Sequence, residues 1–304
     1  MEAGLHNWLR LLALGMIWGS SFMAVSVAVG GLGPLSVAAG RITLAALALL
    51  ALTRLGGISL PPFRAPQGRI VWLAALAFGF FSMALPFFLL SWGQKYVTSG
   101  FAGVTMAAVP LLVLPLAHFL VPGERMSLRK LIGFCIGFAG VVVLIGPGAF
   151  ARAGTDLEPL ARLACLAAGA SYALGSIITR LAPKVDPVAF AAAATLLASL
   201  MILPVAVAVE GIPQGLHAPA LLAVLYLGLV PTALANLLLV AVIRSAGPSF
   251  MSLVNYQVPV WSVIFGTLFL RETLPPQLLP AMGMILAGLA ISNFARARRR
   301  SATR

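Results

Sequence analysis

Residues 34–52 read Pro34-Leu-Ser-Val-Ala-Ala-Gly-Arg41-Ile-Thr-Leu-Ala-Ala-Leu-Ala-Leu-Leu-Ala-Leu52, an apolar run whose single charge is Arg41. At about 1.5 Å of helical rise per residue, such a run is roughly as long as the 30 Å hydrocarbon core of a bilayer. A transmembrane β-strand would need only about ten residues and would alternate polar with apolar. Stretches such as Ile42–Leu52 and Val141–Ile145 do not alternate. Comparable runs recur on both sides of this one. Together they predict helices near Leu9–Val29, Leu35–Leu52, Ile70–Leu90, Val97–Leu120, Leu131–Ile145, Leu160–Ile178, Pro187–Val209, Leu221–Val240, Ser249–Leu270 and Leu278–Phe294. Internal Pro86, Pro110, Pro115, Pro204, Pro231 and Pro259 mark kinks, tolerated in membranes where neighbours or cavity water satisfy the freed carbonyls.

Composition agrees. Of 304 residues, 61% are apolar and 9% charged, and the mean hydropathy is +1.05. A soluble globule would have about 45–50% apolar and about 25% charged residues. Ten crossings use roughly 200 residues and leave about 100 for connections and tails, so no sizeable extramembrane domain fits. The expected fold is an all-α polytopic membrane protein.

The 20 Lys and Arg against 7 Asp and Glu give +13. In a soluble protein that balance would suggest a nucleic-acid partner, but here the charges lie between apolar runs, which argues against one. With both termini cytoplasmic, the inner connections and tails hold Arg10, Arg54, Arg64, Arg69, Arg125, Arg129, Lys130, Arg180, Lys184, Arg244, Arg296, Arg298, Arg299, Arg300 and Arg304. The outer ones hold Lys95, Arg152, Arg162 and Arg271. Fifteen against four is a positive-inside bias and predicts cytoplasmic N- and C-termini. The first run is read as an uncleaved helix, and Arg296–Arg304 as a charge anchor at anionic lipids. Cys135 and Cys165 lie in apolar stretches without a CxxC spacing, so no disulfide framework, metal site or cofactor is expected.

The chain repeats itself at an offset of 149–153 residues. Pro34-Leu-Ser-Val-Ala-Ala falls against Pro187-Val-Ala-Phe-Ala-Ala, and Leu76-Ala-Phe-Gly79 against Leu225-Tyr-Leu-Gly228. The stretch from Pro110 to Glu124 runs in step with that from Pro259 to Glu272, and Gly133 falls opposite Gly283. Units of residues 1–150 and 151–304 follow, five spans each. Five is odd, so the second unit enters the membrane with the opposite orientation. Inverted repeats of this kind enclose a site that opens to either face by rocking one part against the other.

Several polar residues inside the spans could face such a site. Arg41 must snorkel, pair or contact water; it either attracts an anionic or carboxylate-bearing substrate or orients its helix. Trp18-Gly-Ser20-Ser21-Phe combines close packing, hydroxyls and an aromatic surface. Asn255-Tyr256-Gln257-Val-Pro259-Val-Trp261 is the densest polar patch in any span, and its amides need partners in hydrocarbon. Tyr226, Asn236, Gln94 and His118 are weaker candidates of the same kind. Glu124 and Glu272 end the fourth and ninth spans, where each can pair with Arg125 or Arg271, cap the next helix, or seal a gate. Gly133, Gly137, Gly140, Gly283 and Gly288 read as helix-packing surfaces, within the chain or between protomers of a homodimer.

Trp18-Gly-Ser-Ser-Phe22, Gly40-Arg41-Ile42, Pro110 followed by Glu124, and Pro259 followed by Glu272 occur in an order that resembles the drug/metabolite transporter superfamily, in its ten-helix EamA-type branch. The resemblance covers about Leu9 to Phe294. It implies a multi-pass permease of the cell inner membrane with a central cavity between the repeats, and export of amino acids or other small metabolites. The principal expectation is therefore a secondary transporter working by alternating access on a small polar solute. Arg41, Trp18, Asn255, Tyr256, Gln257 and Trp261 would line its pathway, and Glu124 and Glu272 would support gates. The alternative is a lipid-intermediate flippase or a non-enzymatic membrane assembly factor. A membrane-embedded enzyme would need acids or histidines clustered at one interface, and the seven acidic residues are dispersed.

Overall fold

The computed structural model describes residues 4–145, 157–215 and 217–293, and among these the chain is helical without strands. Eight helices are long and apolar enough to cross a membrane: α1 Leu5–Val29, α2 Pro34–Leu55, α3 Gly68–Gly93, α4 Ser99–Leu120, α5 Leu128–Ile145, α6 Glu158–Leu181, α7 Pro187–Glu210 and α8 Ala218–Ala246. Two shorter apolar helices follow, α9 Val254–Leu270 and α10 Leu278–Asn293. All ten runs read from the sequence are thus present. The N-terminus and the tail from residue 294 lie outside the described residues, as does most of the link between the units.

Two expected helices differ in their interiors. The fourth is broken at Ala107–Ala108, because Pro110 has no N–H for the Met106 carbonyl and is accommodated only in the first turn of a restarted helix, Val109–Leu120. The ninth, expected from Ser249, is divided into a four-residue turn, Pro248–Met251, and α9 itself. Pro86 and Pro231 go with a wider turn: π-helical segments at Phe80–Ala84 in α3 and Leu229–Leu234 in α8. These fall at matching places in the two units. Pro115, Pro204 and Pro259 stay inside regular helices.

Helix pairing follows the repeat. α1 packs on α8 and α9, while α6 packs on α3 and α4; α2 pairs with α7, and α5 with α10. The first helix of each unit therefore packs on the third and fourth helices of the other. Backbone approaches obey the same exchange. A Cβ on Gly228 would lie 3.0 Å from the Arg41 carbonyl, and one on its repeat partner Gly79 would lie 2.6 Å from the carbonyl of Ala194, the repeat partner of Arg41. The result is two trios, α1/α8/α9 and α3/α4/α6, flanked by two symmetric pairs. The face on which α1 begins is called the N-face below, and its opposite the far face. Large apolar side chains such as Leu47, Leu73, Phe138, Leu200, Leu222 and Leu268 remain exposed, which suits contact with lipid.

The α5–α10 pair is a backbone seam. A Cβ on Gly133 would come within 2.5 Å of the Gly288 carbonyl, and one on Gly288 within 2.4 Å of the Gly133 carbonyl. Gly140 meets Ile285 in the same way, whereas Gly283, expected to share this role, faces open space. Overpacking a seam of rigid backbone costs about 1–3 kcal/mol. Gly288→Leu should therefore lower the melting temperature of the detergent-purified protein clearly, and Gly283→Leu should not. Equal losses at both positions would remove the distinction.

Candidate functional site

At the centre, α2, α3, α6 and α8 meet around Arg41, which is only 6% exposed. Its Nη2 donates to the Thr232 hydroxyl at 3.1 Å. Its guanidinium carbon sits 3.7 Å from the centroid of the Phe87 ring, a cation–π arrangement. Its Nε is buried and has no hydrogen-bond partner. Among the described residues the ion pairs are Lys130–Glu124, Arg162–Glu158, Arg180–Glu124 and Arg244–Asp186, so no carboxylate neutralises Arg41. The Tyr172 ring lies 6.4 Å from Phe87, centroid to centroid.

The broken helices explain why these partners are available. Pro231 has no N–H to offer the Leu227 carbonyl, and the Thr232 hydroxyl donates to that oxygen instead, at 2.7 Å. Its proton is thereby committed, which leaves a lone pair for Arg41. The Pro231 carbonyl accepts from Trp18 Nε1 at 3.2 Å. In the other unit, Pro86 leaves the Phe81 carbonyl without a donor five residues on, and the Ser171 hydroxyl supplies one at 2.6 Å. α1 thus bonds to the wide turn of α8, and α6 to that of α3, as the pseudo-two-fold requires.

Around this centre the sequence candidates divide into groups. Ser20 and Tyr226 share a hydrogen bond of 2.6 Å between α1 and α8, and Asn236 donates to the Thr232 carbonyl at 2.5 Å. Trp18, Asn236 and Arg41 therefore converge on Pro231 and Thr232 of α8, while Ser20 and Tyr226 form a separate bond between α1 and α8. Ser21 turns back on its own helix, donating to the Trp18 carbonyl at 2.6 Å. Gln257 and Trp261 pack against α1 over Gly15 and Gly19, with the Gln257 Oε1 buried and unpartnered and the Trp261 ring stacked on Phe265 at 5.7 Å. Tyr256 beside them is half-buried. Asn255 caps locally, donating to the Ser252 carbonyl at 3.0 Å near the N-face. Pro110 stands where α4 restarts, whereas Pro259 lies inside the regular helix α9.

The acidic residues mark the two faces. At the far face Glu272 accepts from the Ser99 N–H at 2.8 Å, the Ser99 hydroxyl at 3.0 Å and the Gly100 N–H at 3.2 Å. It caps the start of α4 and ties one trio to the other, instead of pairing with Arg271. Gln94 adds a second tie, accepting from Ser26 at 3.1 Å. At the same face Glu210, from the end of α7, accepts from the N–H groups of Leu35 and Ser36 at 2.9 and 2.8 Å. The N-face is arranged otherwise. Glu124 pairs with Arg180 at 3.1 Å and Lys130 at 3.5 Å, not with Arg125, and so stays beside its own trio. Ser245 donates to Asn7 at 2.7 Å within the other trio. Asp186 caps its own α7; the Ala189 N–H, then that of Val188, hold its carboxyl below the usual carboxylate range.

Packing between the trios has the same polarity. The far-face half of α4, Ser99–Met106, rests on α9 and α1, and the far-face end of α3, Leu85–Gly93, rests on α1. The N-face half of α4, Val109–Leu120, rests on α6 and α5 instead.

Reasoning from sequence did not single out Thr232, Phe87, Tyr172, Ser171 or Glu210. The repeat carried a signal for two of them, since Ser171-Tyr172 falls opposite Ser20-Ser21 at an offset of 151. Glu210 could have been sought as the acceptor for α2, whose N-cap is Gly33 and has no side chain to offer.

Known proteins share this arrangement. The model of the EamA-like transporter family matches residues 8–146 and again residues 159–294, once per five-helix unit. The inner membrane transporter YedA of Escherichia coli (strain K12) is 30% identical over 92% of this chain and 88% of its own length. A probable terminal-alkyne amino-acid exporter of Streptantibioticus cattleyicolor is 29% identical over 94% of this chain and 92% of its own. A solved crystal structure at 22% identity superposes with a TM-score of 0.66, covering 95% of this chain and 98% of that one, and shares the fold. With ten apolar helices in two inverted units and a family match on each unit, the chain belongs to the EamA-like transporter family and is a multi-pass membrane transporter.

Proposed function

We propose that the protein is a secondary carrier in the inner membrane that moves a small polar metabolite of amino-acid size by alternating access, outward from the cytoplasm. The observation that carries this reading is the uneven linkage of the two trios: hydrogen bonds tie them together at the far face, and among the described residues no such bond joins them at the N-face. Positive-inside counting assigns the N-face to the cytoplasm, with fifteen Lys and Arg against four. The described conformation is then loaded from inside, which suits an exporter. The names of two relatives, an inner membrane transporter and an amino-acid exporter, support the compartment and the solute class. Trp18, Ser20, Tyr226, Asn236, Gln257 and Trp261 line the route.

Repeat symmetry supplies the other half of the cycle. Glu272 and Glu124 are repeat partners, and so are the starts of α4 and of the Pro248–Met251 turn. In the opposite conformation Glu272 leaves Ser99, while Glu124 leaves Arg180 and caps the helix start at residue 248. A charged hydrogen-bond acceptor contributes about 1.5–3 kcal/mol, so neutralising either one shifts the two populations roughly tenfold to hundredfold.

Two outcomes are expected. In a Cys135→Ser/Cys165→Ser background, a cysteine replacing Val263, which faces Gly100 across the trios, should be shielded from an impermeant maleimide applied outside. Adding Glu272→Gln should raise its labelling several-fold; unchanged labelling would refute the far-face latch. In proteoliposomes loaded with a mixed pool of amino acids, counterflow should be saturable, and Glu124→Gln should slow it by destabilising the outward-open state. If no solute exchanges, the carrier reading fails.

A further inference from the structure

Arg41 is a chemical oddity in this chain. It is buried where both units meet, it has no repeat counterpart because Ala194 stands at the equivalent place, and no described carboxylate approaches it. Burying a guanidinium without an anion is strongly unfavourable, so a chain that does so normally completes the pair with something it does not itself contain. The surroundings hold the group in place without neutralising it. Thr232 occupies one hydrogen of Nη2, Phe87 covers one face, and Nε is left buried and unpartnered. Those contacts fix the plane of the fork and leave its Nε donor unused, and arginine recognises planar oxyanions through such donors.

Resting on the carrier reading above, we infer that Arg41 binds the carboxylate of the transported solute, and that this carboxylate is the only charge the site reads. One guanidinium matches one negative charge, so a monocarboxylate fits better than a dianion. An α-ammonium group would need an acidic partner, and the described carboxylates are engaged elsewhere. Glu272 and Glu210 cap helices at the far face, Glu124 and Asp186 pair with Arg180 and Arg244 at the N-face, and Glu158 pairs with Arg162 at the start of α6. What remains around Arg41 is aromatic and hydroxylic: Phe87, Tyr172 and Thr232. Such walls accept an amino group or an acylated one alike, and they favour an apolar or aromatic remainder.

The inference separates from the general carrier reading by experiment. Leucine, phenylalanine and glutamine are each offered in three forms, the amino acid, its N-acetyl derivative and its decarboxylated amine. Binding to the purified full-length protein is followed by ligand-induced thermal stabilisation, and exchange by counterflow in proteoliposomes. In at least one series the amino acid and its N-acetyl derivative should bind within a few-fold of each other, and the amine not at all. Arg41→Gln should weaken both carboxylates by roughly thirtyfold or more, the loss expected when one member of a buried charged pair is removed. Arg41→Lys, which keeps the charge but not the fork, should recover part of it. Amines that bind and exchange as well as the N-acetyl forms would overturn the assignment of Arg41 and leave the carrier standing. Failure of all nine compounds would overturn both. If Arg41→Gln does not fold, the comparison of amine with N-acetyl derivative in the unaltered protein still decides.

Discussion

A backbone inside hydrocarbon has no water to bond with, so each carbonyl that loses its helical donor must find another within the protein. Pro86 and Pro231 impose that condition at matching points in α3 and α8. The consequences shape the centre of the molecule. Thr232 turns its hydroxyl proton to Leu227, Ser171 reaches across to Phe81, and Trp18 donates to Pro231. Two of these three bonds join one five-helix unit to the other, so satisfying the backbone also fixes how the units interlock. The third orients a threonine whose remaining lone pair receives Arg41.

The same logic of exchanged partners extends outward. Each unit contributes its first helix to the other's third and fourth, so neither unit closes around its own core. In the proposed carrier cycle, rocking would be a motion of mixed trios against each other, with the α2–α7 and α5–α10 pairs as flanks. The glycine seam between α5 and α10 brings backbone against backbone and suits a pivot. The acidic caps suit latches, because a carboxylate on two N–H groups forms or breaks as a unit when helix ends approach or part. Transport needs two conformations of similar free energy, and a fold whose halves are near copies offers them by exchanging the roles of the copies. The copies also depart from symmetry: Arg41 has no counterpart, and Glu210 caps α2 from another helix whereas Asp186 caps α7 from its own N-cap.

Much of the fold was legible in the residues. Ten apolar runs gave ten helices, because each needs about the same length to cross a bilayer and must be helical to satisfy its own backbone. The paired landmarks Gly79 and Gly228 proved to occupy equivalent contacts. The site was legible only in part. Trp18, Asn236 and Arg41 converge on one turn of α8, but the aromatic and hydroxyl groups around the guanidinium were invisible, since Phe87 and Thr232 look ordinary within apolar runs. Glu124 and Glu272 were recognisable as helix-end carboxylates, yet their neighbours in sequence, Arg125 and Arg271, are not their partners. Helix ends from distant parts of the chain supply those instead.

The sequence by itself determined the solvent, the number of crossings and the duplication, because hydrophobicity and length act locally along the chain and a repeat is a property of the string. Only the tertiary structure decided at which face the two trios are tied, which carboxylate caps which helix, and that Arg41 has a hydroxyl and an aromatic ring for company but no described carboxylate. Those outcomes depend on contacts between residues far apart in the chain, from the 56 positions between Glu124 and Arg180 to the 191 that separate Arg41 from Thr232. No local pattern encodes such distances; they arise when two inverted units interlock.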